Sequence, residues 1–136
     1  MLWQQIINGI SLGAIYALIT IGYSLVYGIM KMMNFAHGDV YMFGTFLTYT
    51  LLTKYNCNIL IAGGLGLTAG AILAVIVEIC AYRPLRTAPQ GRTISMITAL
   101  GAAYVIQNGE EIIWGVETQR FPSMLNVDTI SFLGFS

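Results

Sequence analysis

The chain has 136 residues, of which 57% are hydrophobic and 9% charged, with a mean hydropathy of +0.74, whereas soluble domains carry about 25% charge. That composition excludes an ordinary soluble globular domain. Six Lys plus Arg against six Asp plus Glu give zero net charge, and no basic block exists to neutralise a nucleic-acid backbone. The apolar residues fall in long uncharged runs, the pattern of a chain whose solvent is a bilayer, so the sequence reads as an all-α, polytopic transmembrane protein of about four segments.

The first segment, residues 5–30, lies in a stretch with no Lys, Arg, Asp or Glu from residue 1 to residue 30. As a helix it exceeds the roughly 30 Å of hydrocarbon it must cross. No positive region precedes it, so a cleaved secretory signal is a poor reading and the segment belongs to the mature protein. Segment two is less simple. Only fourteen uncharged residues separate Asp39 from Lys54, about 21 Å of helix, which leaves a re-entrant half-helix or a full span over 32–53 that carries Asn34, His37 and Asp39 inside the membrane zone. Segment three, 57–80, is long enough to cross. Segment four, 93–115, contains the minimal uncharged run 93–109. Residues 117–136 mix Pro122, Asn126, Asp128 and Gly134 with apolar residues and read as an external loop.

The distribution of cations chooses between the two forms of segment two. If it spans, Lys31, Arg83, Arg86 and Arg92 share one face and only Lys54 and Arg120 lie opposite. If it is re-entrant, the count is even. The positive-inside rule therefore favours the span, with the amino terminus outside and residues 83–92 in the cytoplasm. Cys57 and Cys80 stand at opposite ends of segment three, roughly 35 Å apart, which excludes a disulfide between them.

Small residues recur every fourth position, at Gly9, Gly13 and Ala17 in segment one and at Ala62, Gly66, Gly70 and Ala74 in segment three. Such stripes let helix backbones approach closely in lipid, and they predict packing rather than chemistry. The stretch Met33-Asn34-Phe35-Ala36-His37-Gly38-Asp39 is different. It places an amide, an imidazole and a carboxylate at a candidate helix break, and polar groups at membrane depth usually line a pathway; the competing reading is an interfacial loop. With one His in the chain, His37-x-Asp39 is not a zinc site, and neither a metal nor a cofactor is expected. None of the fifteen glycines is followed by Lys, so the chain has no P-loop, and ATP-driven work would need another subunit. No Gly-x-Ser-x-Gly elbow supports catalysis. Glu110-Glu111 reads as the interfacial end of segment four, and Glu78 as an interfacial charge near Arg83.

Several pieces in this order resemble one family. They are Asn8-Gly9-Ile10-Ser11-Leu12-Gly13-Ala14-Ile15-Tyr16-Ala17-Leu18, Gly22-Tyr23-Ser24-Leu25-Val26-Tyr27-Gly28, Asn34-Phe35-Ala36-His37-Gly38-Asp39, Tyr82-Arg83-Pro84-Leu85-Arg86 and Gln107-Asn108. Together they resemble the permease subunits of high-affinity branched-chain amino-acid ABC importers. The resemblance implies a transporter part rather than an enzyme, in the bacterial inner membrane. It would pair with a second permease, dock two cytoplasmic ATPases and receive substrate from an external binding protein. Members are roughly twice this length, so the sequence reads as the first half of a larger permease. Carried over to this chain, the resemblance puts Asn34, His37, Gly38 and Asp39 beside the translocation path. His37 and Asn34 would hydrogen-bond a zwitterion, and Phe35 and Met42 would tolerate a branched side chain. Arg83, Pro84, Leu85 and Arg86 become candidates for the cytoplasmic face and ATPase contact.

Three other readings compete. A sugar or lipid ABC permease shares the architecture, and only the Asn-Phe-Ala-His-Gly piece argues against it. A small four-helix proton-coupled exporter needs an intramembrane carboxylate, which segment one lacks. A membrane anchor fits the small-residue stripes but not the polar break at 34–39.

Overall fold

The computed structural model describes residues 1–120; most of the expected external loop, 117–136, lies outside the described residues. The described residues form four α-helices, α1 (Leu2–Met30), α2 (His37–Lys54), α3 (Ile59–Val77) and α4 (Gly91–Trp114). A π turn (Glu78–Tyr82) and a 3-10 turn (Arg83–Leu85) continue α3 without interruption. Among the described residues, α1 and the run Ile59–Leu85 are long and apolar enough to cross a membrane by length and composition.

Local chemistry sets each boundary. Helix α1 stops at Lys31, which adopts the left-handed conformation (φ 56°) and donates its backbone N–H to the Tyr27 carbonyl at 2.8 Å, a closure that glycine ordinarily supplies. The Asn34 side chain then accepts the Ala36 N–H at 3.0 Å. This local bond competes with helical geometry, which is why α2 begins at His37 and residues 32–36, assigned above to segment two, stay outside the helix. Asn58 caps α3 by accepting the Leu60 N–H at 3.0 Å, satisfying one of the orphan donors of a helix start. Helix α4 ends where Gly115 takes φ 83°, a conformation that favours glycine.

The helices alternate in direction. The hydroxyl of Tyr82 reaches Asn34 at one end of the bundle, while at the other the Trp114 indole reaches Thr50 and Gln119 reaches Tyr49. Helix α2 thus runs from one end of the bundle to the other. Lys31, Arg83, Arg86 and Arg92 share the Tyr82 end, where Met30, Met32, Arg86 and Arg92 surround a common hollow, and Lys54 and Arg120 lie at the Trp114 end.

Helices α2 and α3 make the closest contact. A Cβ at Gly66 would overlap the Thr48 hydroxyl and stand 2.7 Å from the Gly44 carbonyl, and one at Gly44 would stand 3.0 Å from the Gly66 carbonyl. Gly66, Gly70 and Ala62 are buried in this seam. Thr48 donates to Gly44 O at 2.8 Å and leans toward Ala62 O at 3.4 Å, so its hydroxyl bridges the two backbones. Most other threonines bond their own helix four residues back, as Thr20 does to Tyr16 O and Thr45 to Tyr41 O. Hydroxyls satisfied on their own helix can sit where no water is available.

Helix α4 joins α2 through Trp114, which stacks on Phe46 at 5.6 Å and meets Phe43 edge-on at 5.9 Å. A small cluster of Ala36, Val77, Tyr82 and Ala99 closes the cation-rich end, with Met30 against it. Helix α1 buries no residue. Its long apolar side chains, Ile10 and Leu25 among them, stay exposed, as a lipid-facing helix requires.

Candidate functional site

Because α1 stands away from the α2–α3 seam, a cavity of about 840 Å³ opens between them. Leu18, Ile19, Val26 and Met30 of α1 form one wall. Val40, Tyr41, Gly44, Thr45 and Thr48 of α2 form the second, at helical spacing, and Gly66, Gly70, Ala71 and Ala74 belong to the third on α3. The volume falls in the range of small-molecule sites, which are mostly apolar with a few placed polar groups. Here the polar groups are Asn34, His37, Tyr41, Thr45, Thr48, Glu78 and Tyr82, and Asn34, His37, Glu78 and Tyr82 gather toward the cation-rich end. The small residues of α3 serve twice: those facing α2 permit the close seam, and the same side of the helix leaves the cavity wide.

Of the four expected path residues, the structure brings Asn34 and His37 to this cavity. His37 opens α2 and turns toward α1, where its ring meets Tyr23 edge-on at 5.9 Å and its Nε2 lies 3.5 Å from the point a Gly22 Cβ would occupy. It is half-buried. Asn34 has its carboxamide oxygen engaged twice, by the Ala36 N–H at 3.0 Å and the Tyr82 hydroxyl at 2.7 Å. Gly38 and Asp39 are outside the break, in the first turn of α2. Gly38 is exposed with open space at its Cβ position, and Asp39 sits where a carboxylate favours the helix amino terminus. Neither Gly38 nor Asp39 lines the cavity, and nor do Phe35 and Met42.

The cytoplasmic-face candidates divide in the same manner. Arg83 and Pro84 are exposed. Leu85 is half-buried, and Arg86 pairs with Glu78 at 2.7 Å, so the interfacial acid is held by Arg86 rather than by the nearer Arg83. Of the packing candidates, Ala62, Gly66 and Gly70 are buried in the α2–α3 seam, Ala74 is exposed along the cavity, and Gly9 and Gly13 have nothing within 4 Å of a Cβ.

Sequence reasoning missed Tyr82, Thr45 and Thr48 as cavity residues. The signal for the threonines was the row Val40, Tyr41, Gly44, Thr45, Thr48, spaced as one helix face. Tyr82 carried no comparable signal, since its bond to the half-buried Asn34 joins residues 48 positions apart and depends on the fold. Glu110 also departs from its expected place. It is buried at 3% exposure with both carboxylate oxygens unpartnered among the described residues, while Glu111 is exposed. The helical turn carries residue 110 toward α2, alongside Trp114, and residue 111 away from it.

Four α-helices among the described residues, two of them long and apolar enough to cross a membrane, define an all-α, polytopic membrane protein. Residues 5–135 match the family described as the branched-chain amino acid transport system / permease component, and the chain belongs to that family. It is 37% identical over 131 residues to the high-affinity branched-chain amino acid transport system permease protein LivH of Escherichia coli (strain K12). It is 38% identical over 131 residues to the protein of the same name from Salmonella typhimurium, and 37% identical over 130 residues to the permease protein BraD of Pseudomonas aeruginosa. Each alignment covers 90% of this chain and 42% of the relative, so the chain spans less than half the length of these relatives. No solved structure gives a significant match.

Proposed function

We propose that this chain supplies the first helices of a permease subunit that imports branched-chain amino acids across the bacterial inner membrane. The observation that carries the reading is the cavity between α1 and the α2–α3 seam, with His37 at its cation-rich end. Its apolar walls suit an aliphatic side chain, and His37 with the threonine hydroxyls offers hydrogen bonds to the charged groups of a zwitterion. Few polar groups face the cavity, which suits a path that must release its cargo. Affinity then resides in an external binding protein.

Transport is driven by two ATPase subunits on separate chains, and a second permease completes the path. The cations favour residues 83–92 on the cytoplasmic face, because four of the six lie at that end, and exposed Arg83 and Pro84 are free to meet an ATPase there. The span of α2 from end to end supports a crossing segment over a re-entrant one.

The test is uptake of labelled leucine by the full-length subunit in its complete complex. His37→Ala is expected to lower uptake by about tenfold, the magnitude of one lost hydrogen bond to a charged group, with the subunit still present in the membrane. Uptake at the unmodified rate would remove His37 from the path.

A further inference from the structure

We infer that Tyr82 is a positioning residue for the translocation cavity, holding the start of α2 and the His37 ring through its hydroxyl bond to Asn34. The inference rests on the reading of the cavity given above. Among the described residues, the Tyr82 to Asn34 bond is the one side-chain hydrogen bond that joins the break at 31–36 to the end of α3.

The geometry is built from both sides. Tyr82 closes the π turn, and a π turn accommodates an extra residue, so side chains beyond it are rotated from the face that a continued α-helix would give them. Such turns occur frequently at functional sites. The ring is 3% exposed and packs with Ala36, Val77 and Ala99, so its position is set by burial and its hydroxyl is aimed by the turn. On the other side, the Asn34 oxygen has both acceptor directions in use, one on Tyr82 and one on the Ala36 N–H that precedes the first residue of α2. His37 N–H bonds the Asn34 carbonyl at 3.4 Å. The chain of contacts thus runs from the Tyr82 hydroxyl to Asn34, to the α2 amino terminus, and to the His37 ring that meets Tyr23 edge-on.

A consequence is that Asn34 is held rather than free. Its oxygen cannot also accept from a substrate ammonium without releasing Tyr82 or Ala36, which leaves only its amide N–H groups to meet a substrate. Tyr82 immediately precedes Arg83 and Pro84, and a shift of that exposed turn would therefore reach His37 by way of one hydroxyl.

The experiment uses the full-length permease in its complete complex, with Tyr82→Phe, Asn34→Ala and the double variant, and with Tyr82→Ala as a packing control. Tyr82→Phe keeps the buried ring and removes only the hydroxyl. It is expected to lower the maximal rate of leucine uptake by about threefold to tenfold, as for one lost hydrogen bond, with the subunit present at its normal level. Adding Tyr82→Phe to Asn34→Ala is expected to cause no further loss, since the hydroxyl acts through that amide. A second readout does not need transport. The ring-nitrogen resonances of 15N-labelled His37, assigned through His37→Gln, are expected to shift in Tyr82→Phe and to stay unchanged when Tyr82→Phe is added to Asn34→Ala. Unmoved His37 resonances in Tyr82→Phe, or losses that multiply in the double variant, would overturn the inference. If the complete complex fails to take up leucine at all, the transport reading falls, and the His37 resonances still decide whether Tyr82 positions the ring.

Discussion

Two stripes of small residues with the same spacing meet different fates in this molecule. On α3, Gly66 and Gly70 are buried against α2, and no Cβ could be added at Gly66 without overlapping Thr48. On α1, Gly9 and Gly13 face open space. Spacing alone therefore says that a helix can be approached closely, and the partner helix decides whether it is. The difference also makes the cavity: were α1 seated as tightly as α3, its side chains would fill the space that His37 and Thr45 border.

Substitutions at the two stripes give the largest contrast. Gly66→Leu is expected to force α2 from α3, with a loss of about 3 kcal/mol, the upper end for overpacking, read as a lowered midpoint in detergent thermal unfolding. Gly13→Leu in the same full-length protein is expected to change stability by no more than about 0.5 kcal/mol. Equal damage from Gly13→Leu would show that α1 has a tight partner in the assembled permease, and the comparison would then be one of partners rather than of packed and open faces.

The α2–α4 contact sharpens the same point, since it is made by large side chains instead of small ones. Trp114→Ala removes the stack on Phe46, the edge contact with Phe43 and the bond to Thr50, and is expected to destabilise by about 3 kcal/mol. Trp114→Phe keeps an aromatic ring in place and is expected to lose only about 1 kcal/mol, the net value of a hydrogen bond. Thermal unfolding of the two variants side by side checks this. A Phe variant as weak as the Ala variant would assign the contact to the hydrogen bond instead of the rings.

Among contacts made by side chains, the smallest effect belongs to the ion pair at the cation-rich end. Glu78 and Arg86 lie 2.7 Å apart, but their side chains remain 34% and 49% exposed. Glu78→Gln should therefore cost no more than about 1 kcal/mol of stability. A loss of several kcal/mol in unfolding would mean that the pair is enclosed by another part of the permease.

The helices were legible in the sequence because uncharged runs and charged stops mark them, and the all-α class followed directly. The start of α2 was not legible to the residue. Asn34 reads as a polar group inside a span, and only its bond to the Ala36 N–H reveals that it delays the helix to His37. The seam residues Ala62, Gly66 and Gly70 were visible as a stripe, but their partners Gly44 and Thr48 belong to a helix whose mixed character hides a packing face. Within the site, His37 could be picked out as the one imidazole near a break. Asp39 attracted the same attention for its charge, although its place in the first turn of α2 accounts for it. Tyr82 escaped because its role depends on the π turn, which leaves no mark in hydropathy. Glu110 and Glu111 are adjacent in sequence and point to different surroundings, a distinction that depends on where α2 lies.

The central claim is that the cavity beside α1 carries substrate, and thiol accessibility tests it most directly. In the full-length permease, with Cys57 and Cys80 replaced by Ala, Thr45→Cys places a thiol on the α2 wall of the cavity and Ile72→Cys places one on the exposed apolar face of α3. With the complete complex in its membrane, a charged thiol reagent is expected to modify position 45 and spare position 72, and leucine delivered by the binding protein is expected to slow modification at 45. An unreactive position 45, or modification there at the same rate with and without leucine, would contradict the assignment of the cavity as the path.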